Sequence, residues 1–158
     1  MNSEATTLYS MAHELLNLGM DGSPIYSDHL ARLNREVYEL AIKLCSATTS
    51  APEEEAQLCV SLLLALNATY HDNGRKQQYI QRLLDRSFEV LPKLSASLLK
   101  VRLLTYCYAE VYEDALAREA HTIIDTWNKS SLTLEQVDII EELKNVEENP
   151  YPFEVLEE

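Results

Sequence analysis

Glycine is nearly missing from this chain, with three residues among 158, at positions 19, 22 and 74. So scattered a set cannot form the loop whose backbone amides close around a phosphate, which excludes P-loop and dinucleotide-binding signatures. A G-x-S-x-G nucleophile elbow is absent as well. Proline is scarce too, with five residues, and little Gly plus little Pro points to a mostly helical chain. Basic residues are half as common as acidic ones, 13 against 26, for a net charge of −13. Nucleic-acid binding rests on cationic contacts to phosphate, so direct DNA or RNA binding is excluded as the main activity. Anionic membranes are disfavoured for the same reason. No apolar run approaches the ~18 residues of a membrane span. The start MNSEATTLYS lacks the basic and apolar segments of a secretory signal, and none is expected. The three cysteines, Cys45, Cys59 and Cys107, are odd in number, make no C-x-x-C and sit in apolar helical contexts. They read as reduced core thiols of a cytoplasmic protein.

What the chain does hold is a set of strong helical periods. The stretch from Leu98 to Tyr112 has no Gly or Pro, and Leu98, Val101, Leu104, Cys107 or Tyr108, and Val111 recur at three- and four-residue steps. Leu99, Leu103, Tyr106 and Ala109 add a second stripe, so this helix is expected to be buried on several sides. The segment from about Pro52 to Tyr70 is apolar around most of its circumference and reads as a second central helix, with Tyr70 on one of its stripes. Amphipathic helices are expected from about Glu4 or Thr7 to Leu18, Asp28 to Ser46, and Arg75 to Leu91, the last with Phe88 inward. Two more are expected from Asp114 to about Asn128 and from Thr133 to about Glu147, the latter with Leu134 inward. Gly19 suits a helix stop, and GMDGSPIYSD reads as an ordered loop with Ser27 or Asp28 capping the next helix. Pro52 with Glu53, Glu54 and Glu55 suits a helix start. Ser95 or Ser97 is a candidate cap, and Thr133 to Gln136 is a capping-box pattern. Near Tyr112 no Gly or Pro marks where one helix ends and the next begins.

The expected architecture is all-α: a single-domain helical bundle of six to seven helices over residues 1–147, with two largely buried central helices. Residues 148–158 form an acidic tail with Pro150 and Pro152, expected to pack back on the domain or to be ordered by a partner.

No constellation of side chains points to catalysis or a metal. His121 and Asp125 stand one helical turn apart, but no helical H-x-x-x-H is present, and a zinc site needs three protein ligands. No catalytic residue, metal ligand or cofactor site is expected. The distinctive feature is charge at the end of the chain. From Glu135 onward there are nine acids, and Lys144 is the only base. A solvated helix face is the plain reading. The functional reading is a docking surface for a basic protein patch, formed by Glu141, Glu142, Glu147 and Glu148 with Tyr151 and Phe153 as apolar anchors.

LLKVRLLTYCYAEVYEDALAREAHTIIDTW, Leu98 to Trp127, resembles the UpxZ family. Met11–Asp28, Glu53–Gly74 and Asn145–Glu154 are similar to the same family, in the same order along nearly the whole chain. The resemblance implies a non-enzymatic, cytoplasmic regulator of a capsular polysaccharide locus. It would inhibit NusG-like transcription antiterminators of other such loci by protein–protein binding. The family carries no catalytic motif and names no reacting residue. From the residues alone two other readings stay open: a generic acidic helical adaptor or dimerising scaffold unrelated to transcription, and an enzyme with an unrecognised site in the bundle.

Overall fold

The computed structural model describes residues 3–20, 22–70 and 74–149. They form seven α-helices and, among the described residues, no strand. In chain order these are α1 (Ser3–Leu16), α2 (Ser27–Leu44), α3 (Pro52–Ala68), α4 (Lys76–Val90), α5 (Leu98–Val111), α6 (Asp114–Ile124) and α7 (Leu134–Glu148). A 3-10 turn at Leu91–Lys93 follows α4, where Pro92 cannot supply the next amide. The chain divides into two compact units, residues 1–94 and 95–158. The expected packing of the 148–158 tail falls almost wholly outside the described residues.

In the N-terminal unit α3 is the central helix and packs against α1, α2 and α4. Pro52 stands in its first turn, followed by the three glutamates that complement the positive end of its dipole. Leu58, Leu62, Leu63 and Leu66 are fully buried, each contributing roughly 1.5–3 kcal/mol relative to exposure. Ala5 and Ala12 on α1 and Ala56 and Ala65 on α3 are also fully buried, and such small residues permit close helix axes. Long-range contacts give the directions. Lys43 pairs with Glu4 at 2.7 Å, and His29 lies 3.5 Å from Glu14, so α1 and α2 are antiparallel. The Tyr70 amide donates to Asn34 Oδ1 at 3.2 Å, while Arg86 reaches Glu55 and Lys76 Nζ donates to the Thr69 carbonyl. Each neighbour in sequence therefore runs against the last, and the unit has two ends. One gathers the α1–α2 and α3–α4 connections; the other gathers the α2–α3 connection and the end of α4. Basic residues at the start of α4 read as a mismatch with its dipole. Lys76 instead serves the carbonyl end of α3, where a cation is favourable.

The C-terminal unit is built on α5, which packs against α6 and α7. Ser97 caps it, accepting from the Lys100 amide at 3.1 Å. Val101, Leu103, Leu104 and Cys107 are fully buried. The helix stops at Tyr112, the one non-glycine with positive φ among the described residues, at φ 53° and ψ 38°. A left-handed turn at such a residue costs about 1–2 kcal/mol. Its side chain offsets this. The hydroxyl donates to the carbonyls of Val146 at 2.8 Å and Asn149 at 3.2 Å, and the ring tilts against Tyr108 at 5.0 Å. Lys100–Glu119 and Arg102–Glu135 tie α5 to its neighbours at 2.7 and 3.4 Å. The capping box at α7 forms as expected: Thr133 Oγ1 accepts from the Gln136 amide and Gln136 Oε1 accepts from the Thr133 amide.

Several expectations are corrected. Tyr70 lies beyond the end of α3 and is 61% exposed. Phe88 is 37% exposed, because the buried arc of α4 turns through Leu84 and Ser87, whose hydroxyl is satisfied by the Leu83 carbonyl at 2.6 Å. Leu134 is 83% exposed at the tip of α7, before its first buried residue, Ile139. The cap position of α2 is Tyr26, so Ser27 and Asp28 lie inside the helix and make no cap bond.

Candidate partner-binding surfaces

Helix α7 presents four of the six residues expected to bind a partner. Glu141 and Glu148, seven residues apart, share a stripe opposite the buried Ile139 and Leu143. Glu142 flanks that stripe in solvent. Glu147 turns toward α6, where its carboxylate lies 2.9 Å from His121 Nε2, and Glu148 is 4.0 Å from Lys144. Exposed pairs of this kind contribute at most about 1 kcal/mol, so they leave the face free to exchange partners. Tyr151 and Phe153 lie outside the described residues. His121, considered with Asp125, is held instead against Glu147.

The end of the N-terminal unit that carries the α2–α3 connection is tied to one guanidinium. Arg86 Nε and Nη2 donate to the two oxygens of Glu55, both at 2.6 Å, and Nη2 also reaches the Ala47 carbonyl at 3.1 Å. Thr49 Oγ1 donates to Glu55 at 2.7 Å. The Arg86 hydrogen bonds hold the Glu55 carboxyl below its usual range, against the opposing effect of burial, with Thr49 adding to the lowering. A cavity of about 480 Å³ opens beside this pair, lined by the 46–52 connection, Glu89, Val90 and Lys93. Two nearby thiols, Cys45 and Cys59, are both pushed up to about 11 by burial. They stay protonated at neutral pH, which makes them poor nucleophiles.

The opposite end carries apolar side chains that the sequence reading missed. Met20 is 78% and Tyr26 68% exposed, and Leu16, Ile25 and Tyr70 are also largely in solvent. The available signal was three large apolar residues, Met20, Ile25 and Tyr26, in a loop otherwise made of turn formers, where no period buries them. Gly19 has φ +81°, and a Cβ there would fall 2.7 Å from Ile25 Cδ1. The left-handed backbone there favours glycine.

Among the described residues no group of three or more His, Cys, Asp and Glu side chains is placed to hold a metal, and no helix is long and apolar enough to cross a membrane. No curated protein matches the chain. The crystal structure of a transcription anti-terminator antagonist UpxZ from Bacteroides uniformis is similar, with a TM-score of 0.87 and 51% sequence identity over 96% of this chain and 95% of that one. The sequence model of the UpxZ family of transcription anti-terminator antagonists matches residues 5–109, from α1 through most of α5. With both a family match over most of its length and half its residues shared across the entire fold, the chain belongs to the UpxZ family of transcription anti-terminator antagonists.

Proposed function

We propose that this protein is a non-enzymatic regulator that binds NusG-like transcription antiterminators encoded at other capsular polysaccharide loci and stops them from acting. The observation that carries this reading is membership of a family of anti-terminator antagonists, with likeness to a UpxZ structure over nearly the whole chain. Inhibition by direct binding would work in the cytoplasm, either by sequestering the antiterminator or by covering its contact with RNA polymerase. The net charge of −13 favours a basic partner surface and speeds encounter with it. Glu141, Glu142, Glu147 and Glu148 on α7, with Tyr151 and Phe153 beyond it, are proposed as one contact region.

The test is binding of the purified protein to a panel of NusG-like antiterminators from capsular polysaccharide loci, at low and high salt. Selective binding to some members, weakened by salt, is expected. A folded protein that binds none of them would overturn the reading. Reversing Glu141, Glu142, Glu147 and Glu148 to Lys should abolish binding with the helical CD signal intact; unchanged affinity at low salt would remove α7 from the contact.

A further inference from the structure

Leu134, expected to point inward, is 83% exposed, more than any other large apolar side chain among the described residues. A single exposed leucine is ordinary. This one heads a line. Val137 and Ile140, each three residues further on, are only half-buried, so apolar surface continues along the N-terminal half of α7. On the outward side, Leu134 and Val137 are followed by Glu141, Lys144 and Glu148 at steps of three and four, opposite the buried Ile139 and Leu143. The rim is acidic: α7 carries six acids and one base in fifteen residues. Lys144 lies 4.0 Å from Glu148, whereas Asp138, Glu141 and Glu142 are exposed and have no ion-pair partner among the described residues. The other bases of the C-terminal unit leave this balance standing. Lys100 and Arg102 already pair with Glu119 and Glu135, Lys129 serves the Ile124 carbonyl, and only Arg118 on α6 has no such partner among the described residues. The first turn is fixed as well, since the capping box of Thr133 and Gln136 holds the backbone that carries Leu134. A stripe set on a formed helix loses little freedom on binding.

We infer that α7 docks its partner through this apolar stripe, and that the segment of the antiterminator seated there combines apolar side chains with Lys or Arg. The inference rests on the proposed function and deepens it. Leu134, with Val137 and Ile140 behind it, supplies the anchor, and Asp138, Glu141 and Glu142 supply the charges that select a basic segment. A second copy of this chain is disfavoured, because it would set one acidic helix against another. A nucleic acid fails for the same reason. Covering Leu134 takes apolar area out of water, which salt does not screen. The exposed carboxylates mainly set encounter rate, and their effect fades as salt is added.

The experiment measures the affinity of the full chain, at low and high salt, for an antiterminator that the wild type binds. It compares wild type with Leu134→Ser, with the double variant Leu134→Ser, Val137→Ser, and with the double variant Glu141→Gln, Glu142→Gln. Leu134→Ser should keep the wild-type CD spectrum and urea midpoint, because its side chain is already in solvent. It should bind about tenfold more weakly at both salt concentrations, and adding Val137→Ser should weaken binding further. Glu141→Gln, Glu142→Gln should weaken binding at low salt and lose most of that effect at high salt. Should the variant with Val137→Ser fail to fold, Leu134→Ser alone carries the test. Affinity of Leu134→Ser within about threefold of wild type at either salt concentration would overturn the inference and leave the proposed function standing. Wild-type affinity of Glu141→Gln, Glu142→Gln at low salt would overturn the choice of a basic segment. A wild-type dimer that Leu134→Ser dissociates, with antiterminator affinity unchanged, would also overturn the inference by naming a second copy as the occupant. Failure of the wild type to bind any antiterminator would sink the proposed function, and this inference with it.

Discussion

The two ends of the N-terminal unit are organised on opposite plans. At the α2–α3 end, one guanidinium collects a carboxylate, the backbone carbonyls of Cys45 and Ala47 and, through Glu55, a threonine hydroxyl. Polar groups there face inward and satisfy one another. At the α1–α2 end, large apolar side chains face water, and the Ile25 side chain lies over Gly19. Both ends sit on the same helices and share the same leucine core, so the difference is not one of fold. One end ties α3, α4 and the α2–α3 connection together through polar contacts, whereas the other leaves large apolar side chains in solvent.

Substitutions can separate these roles, beginning with what the two ends have in common. Leu62→Asp places a charge in the fully buried face of α3 and should abolish cooperative unfolding, because the cost exceeds the ~4–5 kcal/mol that marks exceptional core mutations. Loss of the sigmoidal urea transition would show it. Leu104→Asp should do the same to the C-terminal unit. Next is the α2–α3 end. Arg86→Ala should lower stability by about 2 kcal/mol in urea unfolding, since it strands the half-buried Glu55. A midpoint unchanged from wild type would mean that the guanidinium does not organise this end. Gly19→Ala at the α1–α2 end should cost about 1 kcal/mol, from the left-handed backbone and the crowded Ile25.

The smallest effect concerns pH. The Glu55 carboxyl titrates below its ordinary range in the folded state, chiefly through Arg86. Its contribution is therefore full above the ordinary carboxylate range and disappears as pH falls through the lowered folded value. Glu55→Gln should be less stable than wild type at neutral pH, and the gap should narrow as the solution is acidified toward about pH 3. A gap that widens with acid would contradict the assignment. Tyr26→Ser should change stability by no more than about 0.5 kcal/mol at any pH, the expected value for a surface side chain with no structural task.

Helix positions, most caps and the central place of α3 and α5 were legible because they are local: a period of 3.6, a Pro at a first turn, a Ser or Thr three residues before an amide it can accept. The Arg86 arrangement was not, because its partners lie 31 to 41 residues away and Arg86 looks like any other charge on the polar face of α4. The end of α5 was hidden for a different reason. Tyr112 adopts a backbone conformation that tyrosine does not prefer, and what compensates is a hydroxyl contact 34 residues on. At the candidate surfaces, acidity was legible as composition. The apolar cluster was not, because exposure depends on which residues the tertiary fold fails to cover, and Tyr70 kept the helical period while falling just past the last turn.

The Tyr112 hydroxyl also acts as a clasp. By bonding the carbonyls of Val146 and Asn149 it closes a loop of more than thirty residues without a covalent link, and it pins the last turn of α7, which would otherwise fray. Removing one oxygen atom with Tyr112→Phe should leave the left-handed turn and the packing of α5 in place. Amide exchange should then quicken in the final turn of α7 alone, where Glu147 and Glu148 reside. The geometry with which the acidic face is held out is in that sense set from the end of α5, by a residue that carries no charge.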